Sequence, residues 1–167
     1  MKKFVIKIYE LILSWHERMK YDETRSKYEL HSSFRFNGPK ITFYGKGEIK
    51  IGKDSYVGSY SSFQAFDNQK IIVGSNCRIS HNVKIYTQSA IPDYDFTKDN
   101  IPQKTGHVII GDGVWIGANV FINPGITIGN NAVIGANSVV TKNIEENAIY
   151  GGVPAKLIRH KILYEVE

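Results

Sequence analysis

Five histidines are the side chains of this 167-residue chain best suited to exchange a proton near neutral pH, and Cys77 is its only thiol. Their positions set them apart. His16 falls in an amphipathic N-terminal stretch, His160 in a basic C-terminal one, and His31 in "YELHSSFRFNG", a segment without periodicity. His107 opens the strand-like "HVIIG", where a histidine is expected to be structural. His81 stands in "CRISHNVKIY", two residues after Ile79 and two before Val83. If both aliphatic neighbours point inward, the imidazole projects from a corner where a ligand or a neighbouring subunit can meet it. No carboxylate stands beside it in sequence, so nothing local orients the ring. Cys77 shares the inward phase of Ile79 and reads as a small core residue, not a nucleophile.

The frame around these residues is that of one domain, long enough to bury a core without disulfides. Its 42% hydrophobic and 22% charged residues are ordinary for a soluble globular protein. A lone cysteine fits a reducing compartment, and neither a signal-peptide pattern nor a membrane-spanning apolar run is present. The expected location is the cytoplasm, with the inner face of the membrane as the variant. The net charge of +5 is modest and reads mainly as a solvated face, so no nucleic-acid partner is expected.

What must position the chemistry is a repeat of six. Ile110, Ile116, Ile122, Ile128, Ile134 and Val140 recur at that interval, each followed by a residue such as Gly111, Gly117, Asn123 or Gly129. Two residues before each stands Val108, Val114, Val120, Ile126, Ala132 or Ser138. Each unit reads as a short strand with two inward side chains flanking an outward one, then a turn. Three such sides close a triangle, and stacked triangles pair as parallel strands about 4.8 Å apart. By this phase Trp115 points outward, where an indole needs a partner surface.

The phase returns at Ile51, Val57 and Phe63 and at Val73, Ile79 and Ile85, with a break around residues 67–70. A longer break, "QSAIPDYDFTKDNIPQKTG" over residues 88–106, reads as a loop thrown out from the coil. About four complete coils are expected. Residues 3–20 predict an amphipathic helix, with Phe4, Ile8, Leu11, Ile12 and Trp15 opposite a stripe of Lys3, Lys7, Glu10, Ser14 and Glu17. That helix is expected to pack on the coil or a neighbouring subunit; peripheral membrane contact, helped by Lys2, Lys3 and Lys7, is the alternative. After Pro154, "AKLIRHKIL" predicts a short cap. Residues 1–30 thus form a helix and lead-in, and residues 31–167 the coil domain.

Hexapeptide periodicity ending in "VVTKNIEENAIYGGVPAKLIRHK" resembles the hexapeptide-repeat acyltransferases, in the branch of the maltose, galactoside and polysaccharide O-acetyltransferases. The resemblance covers roughly residues 41–160. It implies an all-β fold, a left-handed parallel β-helix with an N-terminal helix and C-terminal cap, and a homotrimer with active sites between subunits. It implies acetyl-CoA as co-substrate, no metal, and a sugar or glycan acceptor. It carries the catalytic histidine to His81, whose register matches enzymes that acetylate nucleotide-linked amino sugars. Trp115, Gly117 and Ala118 would lie beside the thioester, and Ala136 and Ser138 along the pantetheine arm. Thr141, Lys142, Pro154, Lys156 and Arg159 would lie near the adenine and phosphates, where Lys and Arg form charge-assisted bonds. Asp93, Tyr94 and Asp95 in the loop are candidates for acceptor choice.

One departure stands out. In the galactoside and maltose branch the catalytic histidine matches Ala90, and no histidine lies between Gln88 and Gly106. That departure weakens an assignment to small sugars such as maltose. Because the whole-chain pattern is most similar to the polysaccharide O-acetyltransferases, the expected activity is O-acetylation of a sugar hydroxyl in surface polysaccharide (capsule or lipopolysaccharide) biosynthesis. The alternatives are N-acetylation of a nucleotide-linked amino sugar, or a non-catalytic scaffold. A zinc hydrolase of the same fold needs three converging histidines, two of them close in sequence, which this chain lacks.

Overall fold

The six-residue period becomes three flat faces. Ile110, Ile116, Ile122, Ile128, Ile134 and Val140 are each 1% exposed or less, and the residues two before them are buried as well. In the computed structural model, which describes residues 2–163, equivalent positions pair as parallel strands: Ile110 with Ile128, Ile116 with Ile134, Ile122 with Val140. The chain winds as a left-handed parallel β-helix of about five turns. The first face holds Glu29–Leu30, Glu48–Ile51, Lys70–Val73, Val108–Ile110 and Thr127–Ile128. The second holds Arg35–Asn37, Tyr56–Gly58, Arg78–Ile79, Trp115–Ile116, Val133–Ile134 and Ala148–Gly151. The third holds Thr42–Tyr44, Ser62–Gln64, Lys84–Tyr86, Phe121–Ile122 and Val139–Val140. Burial of each inward aliphatic contributes roughly 1.5–3 kcal/mol, which no single turn could secure alone.

The coil starts one turn earlier than the aliphatic period indicates. Leu30 pairs with Ile51, Phe36 with Val57 and Phe43 with Phe63. This first turn is filled by rings: Phe43 stacks on Phe63 at 4.7 Å and Phe34 meets Phe36 edge-on at 4.9 Å. A turn through Gly38, Pro39 and Lys40 stretches the spacing and hides the repeat.

At the corner between the second and third faces, Asn82, Asn119 and Asn137 take φ of 55°, 59° and 59°. Their amides form a ladder, Asn82 Nδ2 donating to Asn119 Oδ1 and Asn119 Nδ2 to Asn137 Oδ1, each at 3.0 Å. Short polar side chains tolerate this left-handed backbone and bond locally. Gly117 is required for another reason, since a Cβ there would lie 2.5 Å from the Ala136 nitrogen.

The helix, α1, spans Lys2–Lys27, seven residues beyond the predicted end. Its last turns lose the apolar period but are tied to the coil: Arg25 donates to the Phe34 carbonyl and Lys27 to the Gly45 carbonyl. Tyr21 stacks on Phe36 at 4.1 Å, donates to the Gly38 carbonyl at 2.7 Å and accepts from the Ile41 N–H. The expectation that the apolar face packs on its own coil is corrected here. Phe4, Ile8, Leu11, Ile12 and Trp15 all stay exposed, because the helix docks only from Glu17 onward and projects away before that. No helix among the described residues is long and apolar enough to cross a membrane.

The expected loop at residues 88–106 is partly ordered as an antiparallel hairpin, Gln88–Ala90 against Gln103–Thr105. The C-terminal cap is a strand, Lys156–His160, antiparallel to Ala148–Gly151 at the edge of the second face.

Candidate active site

His81 occupies the predicted corner and is exposed. Ser59, His81, Ala118 and Ala136 form one column along the corner edge. Each backbone carbonyl from Ser59 to Ala118 accepts the N–H that follows the next member: Ser59 from Asn82, His81 from Asn119, Ala118 from Asn137. The structure therefore gathers His81, Gly117, Ala118 and Ala136 on one edge, where small residues leave the backbone open to a thin ligand.

The ring of His81 is oriented by that same corner. Its Nδ1 accepts the Ser59 N–H at 3.1 Å. A nitrogen that accepts carries no proton, so the neutral ring holds its hydrogen on Nε2 and presents a donor outward. Related corners do the same work: His107 Nδ1 accepts from Lys70 N–H, Asp112 Oδ1 from Ser75 N–H, and Asn130 Oδ1 from Asp112 N–H.

Trp115 is outward as predicted, 52% exposed, between Arg78 and Val133 in the ladder. Thr141 and Lys142 are exposed at the next corner. The terminal hairpin is laced to the same end of the coil, Ala155 N–H donating to the carbonyl of Val139, in the strand that precedes Thr141 and Lys142. Pro154 and Lys156, on either side of Ala155, are exposed. Arg159, exposed, lies opposite Ile149 and donates to the His160 carbonyl.

Ser138 requires a correction. The resemblance places it along the pantetheine arm, yet its side chain is wholly buried. Its hydroxyl donates to the Gly135 carbonyl at 2.6 Å and accepts the Gly152 N–H at 3.0 Å. The physical reason is its phase, two residues before the inward Val140.

In the hairpin tip, Asp93 is exposed and Tyr94 half-buried. Asp95 turns inward on its own segment: its Oδ1 accepts both the N–H and the hydroxyl of Thr97, which hold its carboxyl below the usual range. Cys77 is buried with Sγ 3.0 Å from the Gly111 carbonyl, and burial pushes the thiol pKa up, the opposite of an activated nucleophile.

Sequence reasoning passed over Tyr56, Arg78 and Lys161. The signal was there for the first two, since each stands immediately before an inward aliphatic, as Trp115 does before Ile116.

These features define a parallel β-helix that carries an exposed, oriented histidine on one corner edge. The chain belongs to the hexapeptide-repeat acyltransferases. The family model for bacterial transferase hexapeptide (six repeats) matches residues 107–142. Among curated relatives, a chloramphenicol acetyltransferase of Klebsiella aerogenes is 33% identical over 146 residues, 70% of each chain. The galactoside O-acetyltransferase of Escherichia coli K12 is 36% identical over 72% of this chain but only 58% of its own length. Among solved structures, a hexapeptide-repeat acetyltransferase of Vibrio cholerae O1 biovar eltor, complexed with acetyl coenzyme A, superposes with a TM-score of 0.72 at 30% identity, covering 86% of this chain and 77% of that one.

Proposed function

We propose that the protein transfers an acetyl group from acetyl-CoA to a sugar hydroxyl in the assembly of a surface polysaccharide. The observation that carries this reading is the corner edge itself. His81 shares a column with the small residues Ser59, Ala118 and Ala136, and the last turn of the coil and its terminal strand carry the exposed cations Lys142, Lys156 and Arg159. The narrow edge suits a pantetheine arm, with Trp115, Gly117 and Ala118 beside the thioester. The cations suit its phosphates, with Thr141 and Pro154 beside them. The V. cholerae relative, solved with acetyl coenzyme A, supports the co-substrate, and the galactoside relative supports a sugar acceptor.

His81 is the proposed catalytic residue. The bond from Ser59 makes its Nε2 a donor, suited to the oxyanion of a tetrahedral intermediate. Removing a proton from the acceptor requires the other tautomer, which would set Nδ1–H against the Ser59 N–H. Base catalysis by His81 therefore requires that bond to open. We further propose a homotrimer in which the hairpin tip, with Asp93, Tyr94 and Asp95, serves a site completed by a neighbouring subunit. The projecting helix then rests on the inner face of the membrane, which would place the enzyme in the cytoplasm.

The test is acetyl-CoA turnover by wild type and His81→Ala over a panel of neutral and charged sugars. Circular dichroism and sedimentation check fold and assembly. Loss of transfer by about 10²-fold or more, with fold and assembly unchanged, supports the assignment. Full activity in the variant overturns it. An acid limb in the rate profile of wild type that the variant lacks would assign base catalysis; no such limb would assign the donor role.

A further inference from the structure

The second face has a step built into it. Arg35, Tyr56, Arg78 and Trp115 stand in register on successive strands, all pointing outward. The adjacent outward column is small: Gly58, Ser80, Gly117 and Gly135. An open groove of about 660 Å³ runs along the large column, lined by Tyr56, Asn76, Arg78, Trp115 and Lys161 among others, and of the small column only Ser80 borders it.

The charge of this groove is uncompensated. The first face pairs its cations, Lys50 with Glu29 at 2.7 Å and Lys70 with Glu48 at 3.1 Å. No Asp or Glu lines the groove. Among the described residues Arg78 makes no ion pair, and half-buried Lys161 is held only by a neutral partner, its Nζ donating to Asn131 Oδ1 at 2.6 Å. Arg35 lies over the Tyr56 ring, 5.7 Å from its centroid. Two aromatic rings offer flat apolar surface, Ser80 and Asn76 offer hydrogen bonds, and a guanidinium offers a planar fork for an oxyanion.

We propose that this groove binds a pyranose carrying an anionic group, a carboxylate or a phosphate. The ring's apolar face lies on Trp115, and the anion takes charge-assisted bonds from Arg78, its neighbour in the ladder, with Lys161 adding field. Ser80 directly precedes His81, and Trp115 stands two residues before Gly117, so a sugar held here borders the corner edge. Its role as acetyl acceptor rests on the acyltransferase reading; its binding does not.

The experiment is calorimetric titration of the purified full chain with trigalacturonate, glucose 1-phosphate and neutral maltotriose. Wild type, Arg78→Gln and Arg78→Lys are compared, and acetyl-CoA is titrated separately into wild type. The expected result is that one anionic probe binds wild type at least about tenfold more tightly than maltotriose, an advantage that shrinks with added salt. Arg78→Gln abolishes that advantage and Arg78→Lys restores part of it. Whichever of trigalacturonate and glucose 1-phosphate is preferred identifies the anionic group. Equal binding of maltotriose, retention of the preference in Arg78→Gln, or binding of neither anionic probe overturns the proposal. Absence of acetyl-CoA binding sinks the acyltransferase reading instead, and leaves the anionic site to be judged by its own titration.

Discussion

His81 carries two duties at one ring, and they can be separated. Its Nδ1 satisfies the Ser59 N–H, which an exposed corner would otherwise leave to water, while Nε2 faces outward. Asn130 performs the same backbone duty at its own corner. His81→Asn is therefore expected to keep the corner bond and the melting temperature of wild type while losing about 10²-fold or more in turnover. A variant that melts early along with its loss of activity would mean the histidine is structural. Ser138 makes the opposite case. Its hydroxyl joins the Gly135 carbonyl to the Gly152 N–H inside the coil, so Ser138→Ala leaves a donor unpaired. It should cost about 1–3 kcal/mol in denaturant unfolding, with the KM for acetyl-CoA unchanged. A raised KM at unchanged stability would return Ser138 to the ligand groove.

At the scale of elements, the junction between α1 and the coil rests on Tyr21. Burial, reinforced by Glu17, pushes its phenol pKa from 10.0 up to about 12, a shift opposed by the bond to Ile41. The phenol binds its proton more tightly in the folded state than in the unfolded one, so folding suppresses its ionisation. Its contribution is fully present below pH 10 and is lost as pH rises through about 12. Tyr21→Phe keeps the stack on Phe36 and removes the bonds to Gly38 and Ile41, a cost of about 0.5–1.5 kcal/mol per bond at neutral pH. The gap between wild type and variant should narrow between pH 10 and 12 when melting is followed across that range. A constant gap would mean that the hydroxyl is not what ties helix to coil.

For the whole molecule, the contrast is between a well-packed coil and a bare helix. Phe4, Val5, Ile6, Leu11, Ile12 and Trp15 are all more than half exposed on a segment that also carries Lys2, Lys3 and Lys7. Apolar area with a basic flank suits an anionic bilayer, each buried side chain contributing roughly 1.5–3 kcal/mol. The full chain is expected to co-sediment with phosphatidylglycerol vesicles, less so as salt rises, and a chain lacking residues 2–14 should stay in the supernatant with its oligomeric state intact. If truncation instead breaks the oligomer and the full chain ignores vesicles, the helix is a subunit contact.

Much of this architecture was legible in the chain itself. A repeat of six residues admits neither helix nor simple strand, so the burial of Ile110 through Val140, the corner at His81 and the outward Trp115 followed from spacing alone. The first turn was not legible, because the rings of Phe34, Phe36 and Phe43 fill that end of the core in place of aliphatics and the added residue around 38–40 breaks their spacing. Nor was the orientation of His81, since the N–H that fixes it comes from Ser59, 22 residues away on the previous turn. The groove on the second face was equally hidden. Tyr56, Arg78 and Trp115 become neighbours only after the chain inserts a short turn near residue 67 and the hairpin after residue 88. Periodicity decides which way a side chain points, because that depends on its own strand; which side chains stand together depends on register between strands, and only the folded coil sets it.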